Sequence, residues 1–430
     1  MRAARRPHTA SAARWLGAVT LASAAALVAG CSGGTSAEDG RTAVRASTSG
    51  ASGNADAQTT SRIEQAARQA MQTYKLKSLI MRITVDGQDV YTGALGESMT
   101  GVPATPAMHF RTGARAFTYI GQTFAQLVDA EKVSLDDPLA TWFPDYPRAD
   151  QITIKNLLNM TSGYADYVYQ PELGDSLNED PYRQWTNDEL LAIGFNGPEQ
   201  FAPGTNWGYS HTNYVILGQV LEKVTGKPMA EVMDEYIIGP MNLTATGSNA
   251  DTPAIPEPVQ HSFTSERADY FKVEPRQALY EEGTFWNPSW TTANGAVQTT
   301  DIYDMTTSIQ IVGSGSQVSP QMYAAQTAPN LVGFGAKDPT GVCSSCRPNT
   351  AAASYGLGVI LLGPWITQTK SFAGAAASTG YLPADKLAVS VSMTYLPDAF
   401  ADGDAINNSS RATFAALAEA AAPGKAPPGQ

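Results

Sequence analysis

The chain has 430 residues, 43% hydrophobic and 16% charged, enough to bury a sizeable core as one large domain or two interlocked ones. Its net charge of −12 argues against nucleic acid as a partner, because that binding needs a basic face or stripe. The acidic balance is otherwise ordinary for an exported soluble protein.

The N-terminus opens with a positive region at Arg2, Arg5, Arg6 and Arg14, followed by an apolar run from Trp15 to Ala29. That is the layout of a secretory signal. The run is short for a membrane span, which takes about 20 residues. It ends in Leu27-Val28-Ala29-Gly30-Cys31, which resembles the bacterial lipobox. The resemblance implies that residues 1–30 are removed and Cys31 is lipidated. The acyl chains, at about 0.8 kcal/mol per buried CH₂, would then hold the exported chain at the outer face of the cell membrane. A plain signal with an incidental cysteine, or a twin-arginine signal at Arg5-Arg6, are the alternatives. Residues 31–58, rich in Ser, Gly, Ala and Thr, read as a flexible tether.

A domain over 59–421 follows. A helical pattern runs from Ser61 to Met71, then two strand-like stretches, Leu79 to Val85 and Asp89 to Thr92. Asp86-Gly87 between them is a hairpin signal. The next 200 or so residues are rich in helix and loop. Strand character returns at Leu387 to Leu396, where Val389, Val391 and Met393 alternate, and a helix is predicted over Ala405 to Ala421. Residues 422–430 read as a disordered tail. Early and late strands bracketing a helical middle predict an α+β fold: an antiparallel sheet built from both ends, flanked by helices, plus a helix-rich subdomain.

With Cys31 at the lipobox, Cys343 and Cys346 remain, in Gly-Val-Cys-Ser-Ser-Cys-Arg-Pro. In an exported chain they are expected to close a local, structural disulfide. Zinc takes about four ligands and no histidine lies near, and a redox role expects a βαβ setting. No metal or cofactor is expected.

The stretch from His109 to Tyr167 contains His-Phe-Arg-Thr-Gly-Ala-Arg-Ala-Phe117, then Lys132-Val-Ser-Leu-Asp-Asp-Pro138, Thr153-Ile-Lys-Asn-Leu-Leu158 and Met160-Thr-Ser-Gly163. Downstream come Phe201-Ala-Pro-Gly-Thr-Asn-Trp-Gly-Tyr-Ser-His-Thr-Asn-Tyr214, Phe285-Trp-Asn-Pro-Ser-Trp290 with Gly295, Tyr355-Gly-Leu-Gly358 and Tyr381-Leu-Pro-Ala-Asp-Lys-Leu-Ala-Val389. In this order and over residues 60–420, they closely resemble the serine hydrolases that include D-Ala-D-Ala carboxypeptidases and class C β-lactamases.

In the family the resemblance points to, three clusters carry the chemistry. The first is Ser-x-x-Lys at a helix start: the hydroxyl is a weak nucleophile that needs activation, and the lysine shares its helix face. The second is Tyr-x-Asn, and the third is Lys/His-Thr/Ser-Gly on the strand lining the cleft. Each is altered here. The frame Phe110-Arg-Thr-Gly113 puts Ala114 at the serine and Phe117 at the lysine. Phe117 also belongs to a core-type stripe with Ile120, Gly121, Phe124, Leu127 and Val128. Tyr209-Ser210-His211 keeps the tyrosine but puts His211 at the asparagine; His211 is read as polar lining, an acid or base, or a satisfied histidine at a helix start. The third cluster falls on Gln368-Thr369-Lys370 when counted back from Gly380, or on Lys370-Ser371-Phe372 if shifted. Lys370 is read as cleft-facing or as an exposed lysine. Ser162 reads as a turn serine, Met160 stands where His is common, and Trp286, Trp290 and Tyr214 read as core or cleft-wall aromatics.

With neither nucleophile nor lysine, the expected outcome is loss of acyl-enzyme chemistry: a non-catalytic envelope lipoprotein binding a peptidoglycan stem peptide or an envelope protein. Tyr209, His211, Lys370 and Trp286 are the cleft candidates. The alternative is a hydrolase with rewired chemistry through Tyr209, His211 or Lys370.

Overall fold

The computed structural model describes residues 49–248, 252–328, 330–337, 341–401 and 409–428. The expected signal and Cys31 lie outside the described residues. No helix among the described residues is long and apolar enough to cross a membrane.

The Asp86-Gly87 pair forms the tight turn predicted for it, with φ of 50° and 77°. It joins β2 (Leu76–Val85) to β3 (Gln88–Met99) in antiparallel register. A two-residue turn with both residues left-handed matches the twist of the strands it connects. A short first strand, β1 (Ser49–Ser52), pairs with the outer edge of β3. The ordered domain therefore begins inside the segment read as tether, and α1 (Ala57–Thr73) starts four residues before the predicted helix.

The remaining strands of the sheet come from the C-terminal third. They are β6 (Ala353–Tyr355), β7 (Ile360–Leu362), β8 (Trp365–Phe372), β9 (Ala375–Leu382) and β10 (Leu387–Tyr395). The order across the antiparallel sheet is β1-β3-β2-β10-β9-β8-β7-β6, with Val102–Pro103 added beside β3. Both ends of the chain thus meet at β2–β10, as the α+β reading required. Among the shorter strands outside it, β4 (Phe110–Arg111) pairs with β5 (Gln298–Thr300).

β10 is buried along its whole length because helices cover both of its faces. Val389, Val391 and Met393 pack toward α1 and α5 (Ser409–Ala421). The alternate residues are hydroxylic and satisfied in pairs: Ser390 with Thr379 at 2.7 Å, and Thr394 with Ser78 at 2.6 Å. Side chains alternate faces along a strand, so one strand serves an apolar and a polar layer. On the second face lie α2 (Arg115–Asp129) and α4 (Ile302–Ser314). The helical middle, including α3 (His211–Thr225), forms a large core with α2.

The segment after α5 is docked where a disordered tail was expected. The buried Trp365 donates its indole N–H to the Lys425 carbonyl at 2.9 Å, and Lys425 pairs with Asp385. The tail satisfies a donor that the sheet itself leaves open.

Candidate active-site cleft

Helix α2 begins where the first motif predicts. Ala114 is its N-cap residue, preceded by Gly113 at φ 55°, and it makes no side-chain capping bond. The first-turn amides instead close short turns: Arg115 N–H to the Thr112 carbonyl, and Phe117 N–H to the Ala114 carbonyl at 3.0 Å. Nothing on the Ala114 side chain can attack a carbonyl.

Phe117 has no exposed surface and sits in an aromatic cluster. Its ring stacks on Tyr214 at 4.0 Å and on Tyr209 at 5.7 Å, and meets His211 edge-on at 5.3 Å. The lysine position has thus become core packing, as the helix stripe suggested, and offset and edge-on ring pairs of this kind stabilise beyond their area. Ser162 is confirmed as a turn residue, buried, with its hydroxyl donated to Asn213 at 2.7 Å. Met160 uses its sulfur to accept the Ser210 amide at 3.4 Å.

Tyr209 projects from the loop before α3. Burial, reinforced by Tyr355 and the Asp166 carboxylate, pushes its hydroxyl well above the ordinary tyrosine value. A phenol held protonated cannot take up a proton as a base. His211 is the first residue of α3, and its Nδ1 faces Asp166 Oδ2 at 2.9 Å. Asp166 is buried and also accepts the Val168 amide at 3.0 Å. A buried carboxylate on one ring nitrogen fixes the imidazole's orientation. Asp166 was missed in sequence because 45 residues separate it from His211 and no local spacing links them.

The strand pairing fixes which way the residues of the third motif face. On β8, Gln368 points at α2, its amide reaching the Gly358 carbonyl at 3.3 Å and Thr118 Oγ1 at 3.5 Å. Thr369 faces the opposite side and lines a large cavity. The Tyr355-Gly-Leu-Gly358 turn packs on α2 through glycines: a β-carbon at Gly121 would fall 2.6 Å from the Leu357 carbonyl oxygen.

Both expectations for Lys370 are corrected. It is neither exposed nor part of the cavity lining; only 5% of it is accessible. On the ungapped reading it stands where the family's glycine belongs; its stem covers Gly113 and its ammonium lies 5.6 Å from the Phe110 ring centre. Burial, with the Arg111 charge nearby, pulls its amine down to about 7. Arg111 is itself 3% exposed, donates to the Pro253 carbonyl, and is lowered to about 10 by burial.

The cavity, about 770 Å³, is walled by Tyr169, Trp207, Tyr209 and Tyr355, with Thr369, Arg347 and Arg411. Of the predicted positions, Tyr209 and Thr369 line it; Ala114, Phe117, His211, Gln368 and Lys370 do not. Trp286 is corrected as well: it lies in a separate recess of about 190 Å³ with Trp290, Phe372 and Arg267. Arg347 and Arg411 were missed in sequence. Arg347 directly follows the cysteine pair, so attention to its position was open to a reader of the sequence; Arg411 sits on a helix predicted only as a helix. The Cys343–Cys346 disulfide is formed.

The comparisons with known proteins agree with this architecture. A family model described as Beta-lactamase matches residues 63–412. Among curated proteins, "Esterase EstB" of Burkholderia gladioli is 29% identical over 193 residues, covering 42% of this chain and 49% of its own. "Putative penicillin-binding protein PbpX" of Bacillus subtilis is 28% identical over 142 residues, covering 33% of each chain. The chain thus spans a third to a half of the length of these relatives. Among solved structures, a D-stereospecific amidohydrolase from Streptomyces superposes with a TM-score of 0.66 at 23% identity, covering 81% of this chain and 98% of that one. The D-amino acid amidase of Ochrobactrum anthropi gives 0.66 at 19% identity, covering 84% and 98%. With the motifs in order along one sheet and one helix-rich core, the chain belongs to the β-lactamase family of serine hydrolases.

Proposed function

We propose that this domain binds rather than acylates: a non-catalytic member of its family, held on the outer face of the cell membrane through a lipidated Cys31, whose cleft takes a D-amino-acid-ended cell-wall peptide or an envelope protein. The observation that carries this is Phe117. A missing serine alone is one substitution, but the lysine's place is filled by a ring with no exposed surface, stacked on Tyr214 and Tyr209. In a different serine hydrolase, loss of the nucleophile alone costs about 10⁶-fold in turnover. The large cleft beside this dismantled centre supports retained binding. Fold membership by itself assigns no activity. The test is titration of the purified domain with an unlabelled peptide ending in D-alanyl-D-alanine. Saturable binding without turnover is expected; no rise in melting temperature with any member of a cell-wall peptide panel contradicts the cleft version.

One observation favours a second reading, a rewired hydrolase. The Asp166–His211 pair is an oriented imidazole that a water nucleophile could use. Turnover of D-amino acid amides or esters that disappears in His211→Ala would establish it.

A further inference from the structure

The chain is acidic overall, yet among the described residues no Asp or Glu lines the large cleft, whose charged members there are Arg347 and Arg411. Arg347 reaches the wall by an unusual route. It follows the Cys343–Cys346 bridge, and Ser345 inside the bridged turn lines the same cleft.

The turn is anchored at several points. Cys346 is fully buried and Cys343 nearly so. The Cys343 sulfur lies against Gly208, where a β-carbon would stand 3.1 Å from it. Asn206 donates to the Ala336 carbonyl at 3.2 Å and to the Cys346 sulfur at 3.8 Å, and accepts the Gly335 amide at 2.7 Å. Asn206 and Gly208 belong to the segment that ends at Tyr209, so the bridged turn and the cleft tyrosine are braced against each other. Arg347 donates from Nη1 to the carbonyls of Ser344 at 2.9 Å and Cys346 at 2.7 Å. Those bonds fix the plane of the guanidinium. Its Nε and Nη2 have no partner among the described residues.

A held guanidinium whose Nε and Nη2 are open among the described residues, on the rim of an aromatic-walled cleft whose described lining carries no acid, is suited to a carboxylate, which its forked donors match. We infer that the disulfide-closed turn is the anion-selecting wall of this cleft: Arg347 receives a carboxylate of the ligand while the rest of the ligand lies over Tyr169, Trp207 and Tyr355. The bridge acts by pre-organisation, because a loop ordered before binding does not lose that freedom on binding. This inference rests on the reading of the cleft as a binding site, and it gives the cysteine pair a role beyond local stability.

The test uses an acetylated tripeptide ending in D-alanyl-D-alanine, as the free acid and as the C-terminal amide, titrated by calorimetry against the wild type, Arg347→Gln and Arg347→Lys. The wild type binds the acid about fivefold or more tightly than the amide, and added salt narrows the gap. Arg347→Gln removes the preference for acid over amide; Arg347→Lys restores part of it. The reduced wild type, with both thiols alkylated, behaves like Arg347→Gln. Equal affinity of the wild type for acid and amide, or an unchanged ratio in Arg347→Gln, overturns the anion-selecting wall and leaves the binding site standing. Binding of neither peptide at millimolar concentration overturns both.

Discussion

Lys370→Met should make this protein more stable, and by an amount that depends on pH. The wild-type amine is pulled from 10.5 down to about 7, with burial the larger cause and Arg111 the second. The sign follows from linkage. Between about 7 and 10.5 the unfolded chain binds a proton at Lys370 that the folded chain does not, so stability rises with pH across that window. At about 1.4 kcal/mol per pH unit, the burial costs the fold about 5 kcal/mol below pH 7, about 2 kcal/mol at pH 9, and nothing above 10.5. Methionine keeps an unbranched stem over Gly113 and the Phe110 ring and carries no charge. Urea unfolding of both proteins from pH 6 to 9.5 measures the difference directly. The variant should lead by up to about 5 kcal/mol at pH 6, with the lead holding to about pH 7 and shrinking as pH rises beyond it. A difference that is flat with pH, or a variant less stable throughout, refutes the placement of a buried amine over Gly113 and the Phe110 ring.

Three further outcomes follow from the same geometry. Phe117→Lys should destabilise by about 3–5 kcal/mol in urea, since it removes a stacked ring and buries a charge where the neighbouring carboxylate, Asp166, is already engaged by His211 and the Val168 amide. For that reason the double change Ala114→Ser with Phe117→Lys should not restore hydrolysis of a chromogenic β-lactam above the background of the single variants. His211→Ala should cost about 3 kcal/mol, because Asp166 is left buried with the Val168 amide as its remaining close donor; adding Asp166→Asn should recover part of the loss. Deleting residues 423–430 should cost about 1–2 kcal/mol and open the Trp365 indole N–H to hydrogen exchange, since its acceptor is the Lys425 carbonyl.

Much of the fold was legible in residues of short-range meaning. Asp86-Gly87 marked its hairpin, the alternation at Val389, Val391 and Met393 marked a strand with one apolar face, and the stripe through Phe117 and Phe124 marked a core helix. The reading of the first motif as altered rests on the neighbouring frame, Phe110 to Gly113. What stayed hidden depends on tertiary contact. The Asp166–His211 pair joins residues 45 apart. Lys370 looked like a surface or cleft residue because lysine usually is one; only the space left beside Gly113 shows how its stem is buried. Trp286 carried no sign that it faces a different recess from Tyr209. The ends were misjudged by composition: polar, small residues at 49–52 pair as an edge strand, and the Pro-Gly-rich C-terminus caps an indole that the strand leaves unsatisfied.

The central claim is that this member of the β-lactamase family has no acyl-transfer centre. Intact-mass spectrometry after incubation of the purified protein with a fluorescent penicillin tests it most directly. The mass should remain that of the unmodified chain, in the wild type and in Tyr209→Phe alike. A mass increase equal to one penicillin that survives denaturation and maps to a serine would contradict the account.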